Sequence, residues 1–132
     1  MKNIILIIFL TSILITSCNK ENETEPLFLE QIFQIDEIFQ SENDQLKFTI
    51  TEINDSRCPS DVVCVWEGEA VVTVRLEEPQ QGVIELSTYD NQLDTIGSFS
   101  FELVDVSPYP VSTETIELED YDITLRINEL NN

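Results

Sequence analysis

The sequence predicts an all-β domain: a single antiparallel β-sandwich or small barrel of about six to eight short strands with one disulfide. Composition supports this, because the chain of 132 residues has one alanine, the best helix former, and is rich in valine, isoleucine and threonine, which suit a pleated sheet. Apolar and polar residues also alternate with period two in several segments. Turn-forming residues separate these segments at short intervals.

The first part of the domain, Leu27 to Gln40, fits two patterns. Its apolar residues are spaced as on one face of a helix, and no Gly or Pro interrupts them. Two short strands, near Phe33–Ile35 and Ile38–Gln40, fit equally well. Because every later segment has β character, we expect the two strands.

Three of the later segments alternate clearly. Ala70–Leu76 and Tyr121–Asn128 each place apolar side chains on one face and polar ones on the other. Leu46–Ile50 does the same, but Ile53 then falls on the opposite face. A β-bulge near Glu52 would restore the register, since a bulge adds one residue to one strand.

Two more strands complete the predicted set. Ile84–Leu86 marks a strand after Gly82, and Phe99–Leu103 alternates before Val104 and Val106 switch face. Turns are predicted at Asn43-Asp44, Glu78–Gly82, Asp90-Asn91 and Ser107–Pro110.

The N-terminal residues have the organisation of a secretory signal. Lys2 precedes the apolar run Ile4–Ile15, which as a helix rising about 1.5 Å per residue is too short for a hydrocarbon core of about 30 Å. The run ends in Ile15-Thr16-Ser17-Cys18, which resembles the lipobox of bacterial lipoproteins. The resemblance implies that residues 1–17 form a signal peptide and that Cys18 is lipidated after cleavage. An ordinary secretory peptide that happens to contain a cysteine is the alternative.

The residues after Cys18 predict a tether. Residues 18–26 comprise the lipidated cysteine and an acidic, solvated spacer, and the β-sandwich-like domain covers 27–132. Asn19 is not the aspartate that favours inner-membrane retention. The lysine and acids that follow resemble surface-export signals of some lipoproteins. We therefore expect a lipid-anchored protein of the outer membrane. The export-like residues also favour its outer face, at the cell surface.

Charge and composition exclude several function classes. With 26 acidic and 6 basic residues the net charge is −20, which disfavours a nucleic-acid partner because its phosphates would repel the chain. The chain has no histidine, which removes Ser-His-Asp and Cys-His catalysis. Asp90–Asp94 and Asp120–Asp122 are rich in oxygen but lack the calcium-loop signature. We predict no catalytic residue, no cofactor and no metal site.

Residues 54–70 contain the one compact motif, with two cysteines, a proline and a tryptophan. Cys58 and Cys64 enclose five residues, and with Cys18 assigned to lipid they are the two thiols left to pair after export. A redox pair and a zinc site are the alternatives. However, the spacing is not Cys-x-x-Cys, and zinc would need two further carboxylate ligands. A structural disulfide is therefore predicted.

The motif reads Asp-Ser-Arg-Cys-Pro over Asp55–Pro59 and Cys-Val-Trp-Glu-Gly-Glu-Ala over Cys64–Ala70. It resembles a family of small secreted or lipid-anchored bacterial domains, and the similarity extends to Val106–Pro110 and to the last strand from Tyr121. The resemblance implies export and an all-β structure. Because that family has no established activity, the resemblance transfers no catalytic residue.

Arg57 and Trp66 are the candidate binding residues of the motif. Arg57 could anchor an acidic ligand, but its acidic neighbours Asp55, Asp61 and Glu67 favour an ion-pair clip that braces the loop. Trp66 could be an exposed platform for a sugar ring. We expect instead that it packs over the disulfide, as tryptophans do in immunoglobulin-type cores.

Together these features predict a non-enzymatic, lipid-anchored envelope module that binds a protein or a glycan. A basic partner would suit the charge of the chain. The alternative is a structural accessory lipoprotein of an envelope complex, without a ligand of its own. A calcium-dependent glycan-binding module and a carboxylate-only hydrolase are less favoured, since the hydrolase would need two acids that converge in a cleft.

Overall fold

The computed structural model describes residues 28–130. The predicted signal peptide (1–17), the lipidation site Cys18 and the spacer (18–26) lie outside the described residues. Within the described range, no helix has the length and apolar content that crossing a membrane requires.

Residues 28–130 form eight strands and one short 3₁₀ helix, Leu118–Asp120, so the predicted all-β class is confirmed. The strands are β1 (Phe28–Phe33), β2 (Ile38–Gln40), β3 (Lys47–Asp55), β4 (Ala70–Glu78), β5 (Gly82–Ser87), β6 (Leu93–Ile96), β7 (Phe99–Ser107) and β8 (Asp122–Glu129).

The strands make two antiparallel sheets of four strands each. One sheet has the order β1-β8-β7-β6, and the other has the order β2-β3-β4-β5. The chain therefore changes sheets twice, between β1 and β2 and between β5 and β6. The first and last strands pair with each other, from Phe28 opposite Asn128 to Phe33 opposite Ile123.

The core lies between the sheets and is built by the predicted alternation. Every second side chain of Ala70–Leu76 is buried, as is every second one of Tyr121–Ile127. Phe48 of β3 and Phe101 of β7 join the sheets, with ring centroids 5.4 Å apart in an edge-to-face arrangement. Such aromatic pairs add stability beyond their buried area.

The predicted bulge in β3 is confirmed. The register with β4 shifts between Ile50 and Glu52, and the shift brings Ile53 into the core. The register of β7 with β8 also shifts, so that Val104 is exposed and Val106 lies in the core. A single extra residue in each strand therefore keeps the apolar side chains on the inner face.

Two strands differ from the expectations. β1 covers Phe28–Phe33 rather than Phe33–Ile35, because it pairs along β8 although Phe28 and Ile32 face solvent. β6 (Leu93–Ile96) is not among the predicted strands, and it includes Asp94 from the oxygen-rich segment Asp90–Asp94. It forms because β7 offers a partner, which a pattern of four residues does not reveal.

Candidate functional site

Residues 54–70 form the tip of the β3–β4 hairpin. Past the ends of the strands, the N–H of Ser56 donates to the carbonyl of Glu69 (2.8 Å), and the N–H of Cys58 donates to that of Glu67 (2.7 Å). These two bonds extend the hairpin beyond the sheet. The chain between Cys58 and Glu67 then projects from it as a loop.

Gly68 makes this close approach possible. Its φ is +69°, and a Cβ at this position would lie 1.9 Å from the carbonyl oxygen of Ser56. Glycine has no Cβ and adopts positive φ without strain, so it alone fits here. The backbone conformation therefore requires a glycine two residues after the tryptophan of the motif.

The predicted disulfide between Cys58 and Cys64 is confirmed, with 5.9 Å between the two Cα atoms. It closes a ring of residues 58–64 within the projecting loop, and Trp66 lies two residues past Cys64. In the chain-entropy model a loop of this size gives about 2 kcal/mol of stabilisation, because the bond restricts the unfolded chain.

The loop is also attached to the connection between β7 and β8. The N–H of Ser60 donates to the carbonyl of Pro110 (2.9 Å), and Ser112 donates to Asp61 from its N–H (2.8 Å) and its hydroxyl (2.5 Å). The hydrogen bonds from Ser112 lower the pKa of Asp61 below its ordinary value. The loop is thus fixed at its base and on one side.

Arg57 lies beneath this loop, with 8% of its surface exposed. Its Nε and Nη2 donate to the two carboxylate oxygens of Asp55 (2.8 and 2.6 Å), and its Nη1 donates to the carbonyl of Val106 (2.7 Å). Nη2 also reaches the carbonyl of Pro108 (3.1 Å), and the ring of Tyr109 lies 4.7 Å from Cζ. The predicted ion-pair clip is therefore confirmed, with Asp55 as the partner.

The clip is charged at neutral pH. Burial raises the pKa of Asp55, but the hydrogen bonds and charge of Arg57, with a bond from the Tyr121 hydroxyl (3.1 Å), outweigh it and place that pKa below its ordinary value. Burial lowers the pKa of Arg57, but Asp55 outweighs it and raises that pKa. A carboxylate held ionised in this way is a structural partner rather than a proton donor.

Trp66 does not pack over the disulfide, and this expectation is wrong: 82% of its surface is exposed. It lies in the loop beyond the last backbone pair of the hairpin, where the sandwich offers no apolar interior. Val62, Val63 and Val65 are exposed beside it along the chain. Exposed apolar residues scattered singly are ordinary, whereas a large contiguous apolar patch is typical of an interaction surface.

Trp66 lines a cavity of about 280 Å³, which we call the Trp66 pocket. The pocket is lined by Ser56, Trp66, Glu67, Gly68, Glu69 and Tyr89. Tyr89, whose surface is 66% exposed, comes from the connection between β5 and β6. The Oε2 atom of Glu69 is buried and has no hydrogen-bond partner among the described residues.

Ser87 holds the segment that carries Tyr89. Its hydroxyl oxygen accepts hydrogen bonds from the N–H groups of Tyr89 (3.3 Å), Asp90 (2.9 Å) and Asn91 (3.2 Å). This arrangement is a side-chain cap on a tight turn. The backbone of Tyr89 is thereby held in place at the pocket.

A second cavity, of about 260 Å³, adjoins the first. The two share Glu67, Gly68 and Tyr89, and the second is also lined by Arg57 and Tyr109. The structure therefore brings both predicted site residues to one end of the sandwich, with Trp66 exposed and Arg57 buried.

Tyr89 was missed from the sequence. The signal that could have found it is an aromatic residue next to the predicted turn at Asp90-Asn91, where a polar residue is usual.

Within the described part of the chain, no three Cys, Asp or Glu side chains are grouped to hold a metal ion. No protein-family model, no curated protein and no solved structure matches this chain.

Proposed function

We propose that this protein is a lipid-anchored cell-envelope module that binds a partner protein through the end of the sandwich that carries Trp66. The observation that carries the proposal is the exposure of Trp66 beside a cavity, two residues past a ring closed by a disulfide. Tryptophan is the residue type most often found at the energetic centre of an interface.

The rigidity of the loop supports a binding role. A surface that must be ordered upon association loses affinity, because ordering each side chain and loop costs free energy. Here the Cys58–Cys64 bond, the contacts of Ser60 and Asp61, and the backbone geometry at Gly68 fix the loop in advance.

The chemistry at the site favours binding over catalysis. Asp55, whose buried carboxylate lies beside the site, is held ionised by Arg57 and hydrogen-bonded on both oxygens. General acid catalysis needs a carboxyl whose pKa is raised toward neutrality, and here the pKa is lowered. The absence of histidine from the whole chain agrees with a non-enzymatic role.

The membrane anchor in this proposal depends on the N-terminal sequence. The apolar run, the lipobox-like Ile15–Cys18 and the acidic residues after it support attachment by an N-terminal lipid in the outer membrane. A spacer of like charges would extend and hold the domain away from the bilayer. Trp66 would then be available to proteins of the same envelope.

A comparison of variants tests the proposal. The full-length protein, Trp66→Ala and Phe28→Ala are expressed at matched levels, and envelope proteins that copurify after chemical cross-linking are compared. Phe28 is the matched control because it is an aromatic residue, 65% exposed, in the edge strand β1. We expect the same partner with the wild type and Phe28→Ala and its loss with Trp66→Ala. Equal recovery with all three would contradict the proposal.

A further inference from the structure

The side chains around the Trp66 pocket form an environment suited to a cation. Trp66 and Tyr89 present aromatic rings, whose faces attract positive charge. Glu67 and Glu69 add two carboxylates, and the six lining residues include no lysine or arginine. Because the whole chain has a net charge of −20, the field around the pocket also attracts cations.

Glu69, which lines this pocket and also a separate cavity beside β5, carries an acceptor in need of a donor. The buried Oε2 of Glu69 has no hydrogen-bond partner among residues 28–130. The hydroxyl of Ser56 does not supply one, because it donates to the carbonyl of Glu69 (2.8 Å). A buried acceptor without a donor is costly, so a ligand N–H group that meets this carboxylate as its side chain turns toward the pocket would gain affinity.

These two requirements select among cations. A quaternary ammonium group satisfies the rings but has no N–H to offer. A lysine ammonium has N–H donors but is compact and strongly hydrated. A guanidinium has five N–H donors in a plane and stacks on aromatic rings, so it meets both requirements at once.

The same chain already holds one guanidinium in this way. Arg57 binds the carboxylate of Asp55, at 2.6 Å, and its Cζ lies over the ring of Tyr109, 4.7 Å from the ring centroid. The neighbouring pocket offers the same two kinds of group, with no internal arginine to fill it.

We propose that the Trp66 pocket binds an arginine side chain of a partner protein. The guanidinium lies against the rings of Trp66 and Tyr89 and donates to the carboxylate of Glu69, while Glu67 contributes charge at the rim. This inference rests on the proposed binding function and names the chemistry that the partner must present.

A titration with small peptides tests the inference. The chain has one tryptophan, so the intrinsic tryptophan fluorescence of the full-length protein reports directly on the pocket. The probe is a short blocked peptide with one central arginine, used at millimolar concentrations in about 150 mM salt, which screens distant charges. The matched control is the same peptide with citrulline, which keeps the shape and loses the charge. We expect saturable quenching with the arginine peptide and at least tenfold weaker binding of the citrulline peptide.

Charge-matched variants separate the pocket from the general acidity of the surface. Glu69→Gln and Glu67→Gln each remove one negative charge inside the pocket, and Glu114→Gln removes one outside it. We expect several-fold weaker binding of the arginine peptide with Glu69→Gln, a smaller loss with Glu67→Gln and no change with Glu114→Gln. Circular dichroism of each variant confirms that it is folded.

Several results would overturn the inference. Equal binding of the arginine and citrulline peptides, no binding of either, or equal losses in Glu69→Gln and Glu114→Gln would each show that the pocket does not recognise a guanidinium. Choline binding as tightly as the arginine peptide would point to a lipid head group instead, and binding of a neutral oligosaccharide alone would point to a glycan. If these results occurred while Trp66→Ala still lost its envelope partner, the inference would fail and the proposed function would stand.

Discussion

Asp55 and Arg57, two positions apart in the chain, form an ion pair with both side chains almost completely excluded from solvent. The pair is bidentate, with Nε–Oδ1 and Nη2–Oδ2 distances of 2.8 and 2.6 Å. Arg57 also binds the carbonyls of Val106 and Pro108. The pair therefore joins the end of β3 to the end of β7 and supports the loop above it.

Replacing one member of this pair should be strongly destabilising. Arg57→Ala leaves the buried carboxylate of Asp55 without its partner, and breaking a buried pair costs about 3 to 5 kcal/mol. The free energy of unfolding from urea titration measures the loss. The double variant Asp55→Ala, Arg57→Ala should lose less than the sum of the two single variants, since the partners are coupled. Additive losses would mean that the pair is not coupled.

The pair should also give the stability a pH dependence below about pH 4. The pKa of Asp55 is lower in the folded protein than the ordinary value of about 3.9, so its contribution is complete above that value. It is lost as the pH falls toward the lowered pKa, where the folded protein also takes up the proton. The difference in unfolding free energy between the wild type and Asp55→Asn should therefore be largest near pH 7 and shrink below pH 4. A difference that is constant from pH 7 to pH 2 would contradict this.

Trp66→Ala should leave stability nearly unchanged. Its side chain is mostly in solvent, and surface substitutions of this kind change the free energy of unfolding by about 0.5 kcal/mol or less. Phe48→Ala is the contrast, because Phe48 is fully buried and such a change costs about 3 to 5 kcal/mol. Thermal unfolding of both variants provides the measurement. A loss of several kcal/mol in Trp66→Ala would mean that this ring packs in the core after all.

Gly68→Ala should destabilise the hairpin tip more than a change at another glycine with positive φ. The added Cβ would collide with the backbone of Ser56, whereas at Gly97, with φ of +61°, it would meet only the side chain of Gln80 at 3.3 Å. We expect a cost of about 1 kcal/mol for Gly97→Ala from the left-handed conformation alone, and clearly more for Gly68→Ala. Urea titration of the two variants compares them. Equal costs would show that the contact with Ser56 is relieved by a small movement.

Much of the fold could be predicted because alternation is a local property of each strand. The inner faces of β4 and β8 and the bulge at Glu52 follow from the order of apolar and polar residues. β6 could not be predicted in this way, because its four residues are ordered by pairing with β7. The start of β1 could not be predicted either, because Phe28 and Ile32 are apolar but face solvent, so alternation does not reveal which side chains are buried.

The covalent and ionic contacts of the site could be predicted from the sequence, but the exposure of Trp66 could not. The cysteine spacing and the acid beside Arg57 indicated the disulfide and the ion pair. Whether Trp66 faces the core depends on where the hairpin leaves the sheet, and there Gly68 lies against the backbone of Ser56, just past the end of β3. Tyr89 joins the pocket from the connection after β5, because β5 pairs with β4.

Mass spectrometry of the mature protein tests the predicted anchor. We expect a chain that begins at Cys18 and carries acyl groups, with residues 1–17 removed. Cys58 and Cys64 should be linked, so that reduction adds the mass of two hydrogens. Cys18→Ala should abolish the acyl mass and release the protein from membranes. A chain that keeps residues 1–17, or one without acyl groups, would contradict the anchor.

The central claim is that the end of the sandwich carrying Trp66 contacts a partner protein, and site-specific photo-cross-linking in intact cells tests it most directly. A benzoylphenylalanine is placed at position 66 and, in a separate strain, at position 28, another exposed aromatic position. The account predicts a discrete adduct with one protein from position 66 and none from position 28. The absence of any adduct at position 66, or the same adduct from both positions, would contradict it.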